Sequence, residues 1–446
     1  MALLDATFAR RTLLLGTAAT VGGALLRPGA AQAGGRLVAA HSNDSAARWV
    51  RTAYDVVARQ GLTPPSAARV YAMVSVAVYE ALLGGMPHLH SAQGQLSELG
   101  GLPRPAAPGV VSWPLVVGAA AGTVLHGLLP AMTPGGRAAV EAAALLDTEA
   151  GRASGTPDRS VVASRAHGVA VANAVVRWAS TDGHAEAMAA AYTPPVGPSL
   201  WVPTPPNFGT AIEPFCHRVR PLLLRSTDEV EPVAPVPFSA EPGSPFWEQA
   251  MGPYRQSQVN GAREIDIARF WTDNPLFSGL PAGHWVSIAV QACEQRELRL
   301  DATVEALMRT AVALNDAFLS CWTWKYRSNL LRPVTYVNRY IDAGWRTVVN
   351  TPQFPEHTSG HSVASRAAST VLTAMLGSFP FDDTARSTTT GLVQRTRRWA
   401  DFTDAADTAA MSRLYGGIHY QHGIDSGKAQ GDAVGALVLA RLVTRR

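Results

Sequence analysis

Apolar residues recur every three or four positions along most of this 446-residue chain, a period that specifies helices rather than a sheet-based core. Trp49, Val50, Ala53, Val56 and Val57 follow the spacing of one buried helical face. Asn43, Asp44 and Ser45 precede them as caps, and Gly61 is the stop. A second helix starts at Thr63-Pro64, with proline in its first turn, and ends at Gly84-Gly85. It carries Val70, Tyr71, Val74, Val78 and Leu82 over most of its faces, so it belongs at the centre of a bundle. The same period predicts helices near 134–150, 158–180, 261–275, 284–332, 360–377, 385–415 and 426–443. No strand alternation persists and no internal repeat is visible. The expected fold class is all-α, a helical bundle.

One segment breaks the pattern. Residues 193–246 hold 13 prolines, interleaved with Trp201, Phe208, Phe215 and Leu222–Leu224. A free linker is more polar than this, so the stretch reads as a strap packed on the surface. It closes an N-terminal helical region, 34–260, and precedes a C-terminal helical core, 261–446. No charged residue lies between Arg104 and Arg137, but five prolines divide that stretch. The 15 residues between Pro114 and Pro130 are short of the roughly 20 that a spanning helix needs, and read as a buried helix.

Residues 1–33 read as an export signal. Arg10-Arg11 precede an apolar run from Leu13 to Leu26, and Ala31-Gln32-Ala33 is a small-x-small cleavage site. Paired arginines followed by Thr-Leu-Leu-Leu resemble a twin-arginine signal, which places the mature chain in the periplasm or outside the cell. An ordinary secretory signal is the alternative. No transmembrane span is expected in the mature chain.

Hydrophobic residues make up 47% of the chain and charged residues 16%, which supports a large core and excludes a disordered, solvating chain. A net charge of +4 is too small for nucleic-acid binding by bulk charge. Lysine occurs only at Lys325 and Lys428, so each one stands out against the arginines. Cys216, Cys293 and Cys321 supply no disulfide framework and no cysteine-rich metal site; one bridge is available, with its pairing open.

Three short segments in the last third carry chemistry. Lys325 and Arg332 are seven positions apart, on one helical face, with Pro333 as the stop. Two cations there form a clamp for an anion; a solvated basic face is the alternative. Thr358-Ser359-Gly360-His361 then opens an apolar helix. Its N-terminus offers N–H groups to an anion, Gly360 permits close backbone approach, Ser359 adds a hydroxyl, and His361 is placed as an acid or base. A plain cap with a surface histidine is the other reading. In the third segment Ser412-Arg413 and His419 flank Gly416-Gly417, which breaks the helix and turns His419 back; an exposed histidine at a hinge is the alternative. Asp425-Ser426 cap the last helix. Histidine pairs 357/361 and 419/422 have zinc-like spacing, but no H-E-x-x-H accompanies them and Gly360 breaks the first pair.

Together, the three segments resemble the superfamily of vanadium-dependent haloperoxidases and type 2 phosphatidic acid phosphatases, whose signature is K-x6-R-P, then P-S-G-H, then S-R-x5-H. The resemblance implies that Lys325, Arg332 and Arg413 hold the oxygens of vanadate or phosphate, with help from Ser359 and the Gly360 N–H. It implies that His419 binds vanadium in a haloperoxidase, or attacks phosphorus in a phosphatase, with His361 as the acid–base group. Lys325 would also polarise bound peroxide. Trp322 and Phe354 match aromatic residues of a halide pocket; two core aromatics is the other reading. Thr358 replaces the motif's proline, and Gly423 stands where the family often has an acidic residue. Asp425, or a backbone carbonyl, is then left to orient His419. The chain's length, export signal and lack of spans favour the haloperoxidase branch, with vanadate as cofactor and halide and hydrogen peroxide as substrates. The alternatives are a phosphatase acting on a phosphate ester through a phosphohistidine, and a secreted anion-binding protein without turnover. Nothing in the sequence specifies an oligomeric state.

Overall fold

The computed structural model describes residues 36–387 and 393–446. The export signal expected over 1–33 lies outside the described residues. Six helices come first: α1 (Asp44–Gln60), α2 (Pro64–Leu82), α3 (Trp113–Leu128), α4 (Pro134–Ala153), α5 (Asp158–Ala179) and the short α6 (His184–Ala189). After a long irregular segment come α7 (Pro245–Val259), α8 (Ala262–Phe270), α9 (Leu280–Gln295), α10 (Leu300–Ser328), α11 (Pro333–Tyr340) and α12 (Gly360–Leu376). A hairpin of β1 (Phe381–Ser387) and β2 (Val393–Trp399) precedes α13 (Phe402–Tyr415) and α14 (Gln421–Arg441). The class is all-α, as the period predicted.

The 29-residue α10 is the axis. Residues 300–323 on it are buried but for Ala302 and Arg309, and a helix buried on nearly all faces sits inside a bundle. It packs on α2, α9, α12 and α14, while α12 is held between α10, α13 and α14. α3 is the buried helix expected between Pro114 and Pro130, and packs on α2, α4 and α5. Among the described residues one stretch, Pro64–Gly85, is long and apolar enough to cross a membrane by length and composition; 78% of it is buried in this bundle.

The proline-rich segment is a strap, as expected, and its anchoring is specific. Asp316 of α10 is fully buried and accepts the backbone N–H groups of Leu222, Leu223 and Leu224 at 2.8, 2.7 and 2.8 Å. Trp201 N–H donates to the Asn329 carbonyl at 2.8 Å, Leu331 N–H to Ser199 at 3.0 Å, and Ile212 N–H to Gln353 at 3.0 Å. The strap therefore braces the loop that leads to Arg332 and the loop that leads to the second motif.

Three expectations need correction. The helix expected across 385–415 is a hairpin followed by α13. Its alternation is polar: Asp383 is buried and Asp382 exposed, Thr384 and Thr396 pair across the strands at 2.9 Å, and Arg395 and Arg397 both reach Asp266 of α8. An apolar-period reading is blind to a strand of that kind. The helix expected over 284–332 divides into α9 and α10, and α10 stops at Ser328 because Asn329 takes a left-handed conformation (φ 46°). Pro333 opens α11 instead of closing α10. Asp425 lies inside α14, bonded to Gln421 at 2.9 Å, so it caps nothing. The cysteines are all free and buried.

Candidate active site

Each motif reaches the site from the end of a helix. At the C-terminal turn of α10, Lys325 is fully buried. Its ammonium donates to the carbonyls of Pro355 at 3.1 Å and Glu356 at 3.0 Å, and to that of Thr358. It also lies 5.0 Å from the centroid of Phe354 and 5.5 Å from that of Trp322. Burial brings its pKa down to about 7. Arg332, the residue before α11, is also fully buried. Its Nε donates to the Phe354 carbonyl at 2.8 Å, and its Nη1 to the Ile418 carbonyl at 2.9 Å. Its Nη2 is buried without a partner.

α12 opens at Gly360, with Ser359 as its cap, accepting from the N–H and hydroxyl of Ser362. A Cβ at position 360 would stand 3.3 Å from the Trp322 ring, so the small residue lets the helix end approach α10. α13 ends at Tyr415, and Gly417 takes φ 76°, which turns the chain so that His419 points back inside. Arg413 donates from Nη2 to the carbonyls of Ala268 (3.2 Å) and Trp271 (2.6 Å), which ties α13 to the end of α8.

His419 is 3% exposed and bonded on both ring nitrogens. Nδ1 donates to Glu356 Oε1 at 2.7 Å, and Nε2 accepts from Arg332 Nη1 at 3.0 Å. This pattern defines the tautomer, with the proton on Nδ1 and the lone pair on Nε2. Burial first, then Arg332, Lys325 and Arg413, hold its pKa well below the ordinary histidine value, so the ring stays neutral. Asp425 does not orient this histidine; Glu356 does. The glycine at 423 is the counterpart of that arrangement, since a Cβ there would sit 2.4 Å from Glu356 Oε1. The acidic partner of His419 thus stands five residues before His361 and outside the third motif.

A cavity of about 370 Å³ opens onto this assembly. Trp322, Phe354, Gly360, His361, Arg413 and His419 line its inner end. Trp322 and Phe354 pack with ring centroids 4.7 Å apart. Lys325, Arg332 and Ser359 are buried next to these lining residues and do not line the cavity themselves. His361 Nε2 is unpartnered and lies 3.6 Å from Asp273 Oδ2, beyond hydrogen-bond length. Burial and then Arg413 push the His361 pKa down to about 4, against the pull of Asp273. Asp273 and Glu356 were not singled out in the sequence. Asp273 sits in a connection between helices, and its backbone φ of 40° is the one local sign of a constrained position.

The chemistry of this donor set fits a tetrahedral oxyanion. Three buried cations stand with two carboxylates, Arg332 Nη2 is unpaired, the N-terminus of α12 opens at Gly360, and the neutral His419 ring carries its lone pair on Nε2, which accepts from Arg332 Nη1. No group of three or more His, Cys, Asp or Glu residues suited to a metal cation occurs among the described residues.

Comparison with known proteins agrees with this chemistry. The family model for the VCPO second helical-bundle domain matches residues 305–445. The solved structure of the first bacterial vanadium-dependent iodoperoxidase superposes with a TM-score of 0.82 at 34% identity, covering 91% of this chain and 97% of that one. Holo and apo bacterial vanadium-dependent chloroperoxidases superpose with TM-scores of 0.61 and 0.63 at 17% and 16% identity. They cover 86% and 85% of this chain and 94% of their own, and at that identity they speak for the fold alone. No curated protein matches the sequence.

Proposed function

The chain belongs to the vanadium-dependent haloperoxidase superfamily, and from that premise we propose that it oxidises halide with hydrogen peroxide, using vanadate held at His419. The observation that carries the reading is the His419 ring, whose Nε2 carries no proton of its own and accepts from Arg332 Nη1, beside the unpartnered Nη2 of the same guanidinium. Arg332, Arg413, Ser359 and the Gly360 N–H would hold the vanadate oxygens, and Lys325 adds charge from behind the cradle. Bound vanadate supplies a Lewis-acidic centre that activates peroxide toward attack by halide.

The protein's own contribution is positioning, charge and proton control. Glu356 keeps the His419 proton on Nδ1, so the coordinating nitrogen needs no deprotonation. His361, neutral above a pH of about 4, can take a proton at Nε2 from peroxide entering the cavity and return it to a departing oxygen. Trp322 and Phe354 offer an apolar wall where a poorly hydrated halide can lose its water. The phosphatase alternative would use the same cradle, but the likeness to the iodoperoxidase runs along nearly the whole of that chain and favours the peroxidase. Export by the twin-arginine route is proposed on the residues of the N-terminus alone.

The test uses one anion-stripped sample, assayed with and without vanadate. One half receives iodide, bromide or chloride with peroxide and a halogenatable dye; the other receives a chromogenic phosphate ester. Halogenation that needs vanadate, and is lost in His419→Ala, is expected. Ester hydrolysis without vanadate and no halogenation would reassign the site to phosphoryl transfer.

A further inference from the structure

The carboxylate beside His361 is one end of a buried line of charge. Asp273 meets His284 Nδ1 at 3.2 and 3.1 Å through its two oxygens. The other nitrogen of that ring, Nε2, meets Asp383 Oδ2 at 3.2 Å, and Trp399 Nε1 donates to the same oxygen at 3.1 Å. Trp271 stacks on the His284 ring with centroids 4.4 Å apart. The His284, Asp273 and Asp383 side chains are 2%, 5% and 0% exposed. An imidazole with a carboxylate at each nitrogen is a donor at both, which only the protonated ring can be. The members come from α12, the connection after α8, α9 and β1, with Trp399 from β2.

We propose that His284, clamped between Asp273 and Asp383, is a positioning residue that holds the Asp273 carboxylate against His361, so that the hairpin acts on the acid–base group of the site. The inference rests on the reading of His361 as that group. A lone buried carboxylate next to His361 would draw a proton onto the pair. Bound to His284, Asp273 stays ionised and aligned while His361 stays neutral. Two observations support a holding role. Asp273 keeps a backbone φ of 40°, in a region that non-glycine residues seldom adopt. Asp383 is fully buried on β1 while its neighbour Asp382 is exposed, and among the described residues its ion-pair cation is His284. The titratable and charged groups around His361 are Asp273, His284 and Arg413, with His419 across the cradle. Those facing His284 are Asp273 and Asp383.

The experiment follows histidine side-chain nitrogens by NMR in the vanadate-free protein. In the native chain His284 is expected to hold both protons at neutral pH and to titrate near 10. Asp383→Asn, which leaves an oxygen for Trp399, should lower that midpoint by about one unit or more. His284→Gln removes a cation facing His361 and frees Asp273 to pair with it, so the His361 midpoint should rise by about one unit from about 4. In the vanadate-loaded enzyme the acidic limb of kcat/KM should move up with it, with the halide KM within about twofold, a combination that loss of packing alone does not produce. A neutral His284 at pH 7, an unchanged His284 midpoint in Asp383→Asn, or an unmoved His361 in His284→Gln would overturn the proposal. Full turnover in His361→Ala would remove the acid–base reading and this role with it, and is told apart because it shows in activity alone.

Discussion

At the scale of single residues, the site is an exercise in placing one imidazole. The role proposed for His419 requires a neutral ring with its lone pair toward the anion. Burial first, and then three cations, keep it neutral, and Glu356 keeps its proton on the far nitrogen. Removing that acceptor, as in Glu356→Ala, should weaken vanadate binding about 10–100-fold, read by equilibrium dialysis, while Glu356→Gln, which retains an oxygen, should lose less. Gly423→Ala is the sharper case. The added Cβ would lie 2.4 Å from Glu356 Oε1, so the carboxylate must shift and its bond to His419 break. The expected outcome is a loss of vanadate affinity of about tenfold with no functional atom removed; unchanged affinity would count against Glu356 as the orienting group. The motif spacing made the imidazole visible, but its partner was invisible, because a glycine that makes room for a distant carboxylate carries no local signature.

At the scale of elements, helix ends do the chemical placing and irregular chain does the bracing. The α10 terminus supplies Lys325 and Trp322, the α12 N-terminus supplies Ser359, Gly360 and His361, and the break after α13 supplies His419. The strap reaches the first of these and the approach to the second through Ile212: its carbonyl accepts from Trp322 Nε1 (3.1 Å) and Tyr326 Oη (2.6 Å), and its N–H donates to the Gln353 carbonyl (3.0 Å). Asp316 is its central pin. Asp316→Ala leaves three buried N–H groups without an acceptor and should cost about 3 kcal/mol in urea unfolding. The same variant should expose the strap to limited proteolysis around Leu222–Leu224 before the helices are cut; an intact strap at the protease dose that cuts the native chain would argue against the pin. The strap was legible as a packed segment because its aromatics and leucines are too apolar for a linker. The hairpin was not, since its alternating residues are Asp, Thr and Arg, and their partners lie on other elements.

At the scale of the whole molecule, the formal charge of +4 conceals a concentration of cations in one buried place. Lys325, Arg332 and Arg413 repel one another there until an anion enters, so oxyanion binding should stabilise the entire fold. Vanadate or phosphate at one hundred times its Kd is expected to add about 2.7 kcal/mol, seen as a rise in thermal midpoint that Arg332→Ala and Arg413→Ala largely abolish. Equal rises in native and variant proteins would place the anion elsewhere. Helix period, proline content and motif spacing are local properties of the chain, so the helical class, the strap and the three motifs that converge on the cavity were legible from the order of residues alone. Only the tertiary structure decided what controls those residues. His419 and Glu356 are 63 positions apart, and His284 and Asp383 are 99 apart. Such pairs form where packed helices and a hairpin bring their ends together, and a local pattern records the face a residue buries but not the partner that the packing brings to it.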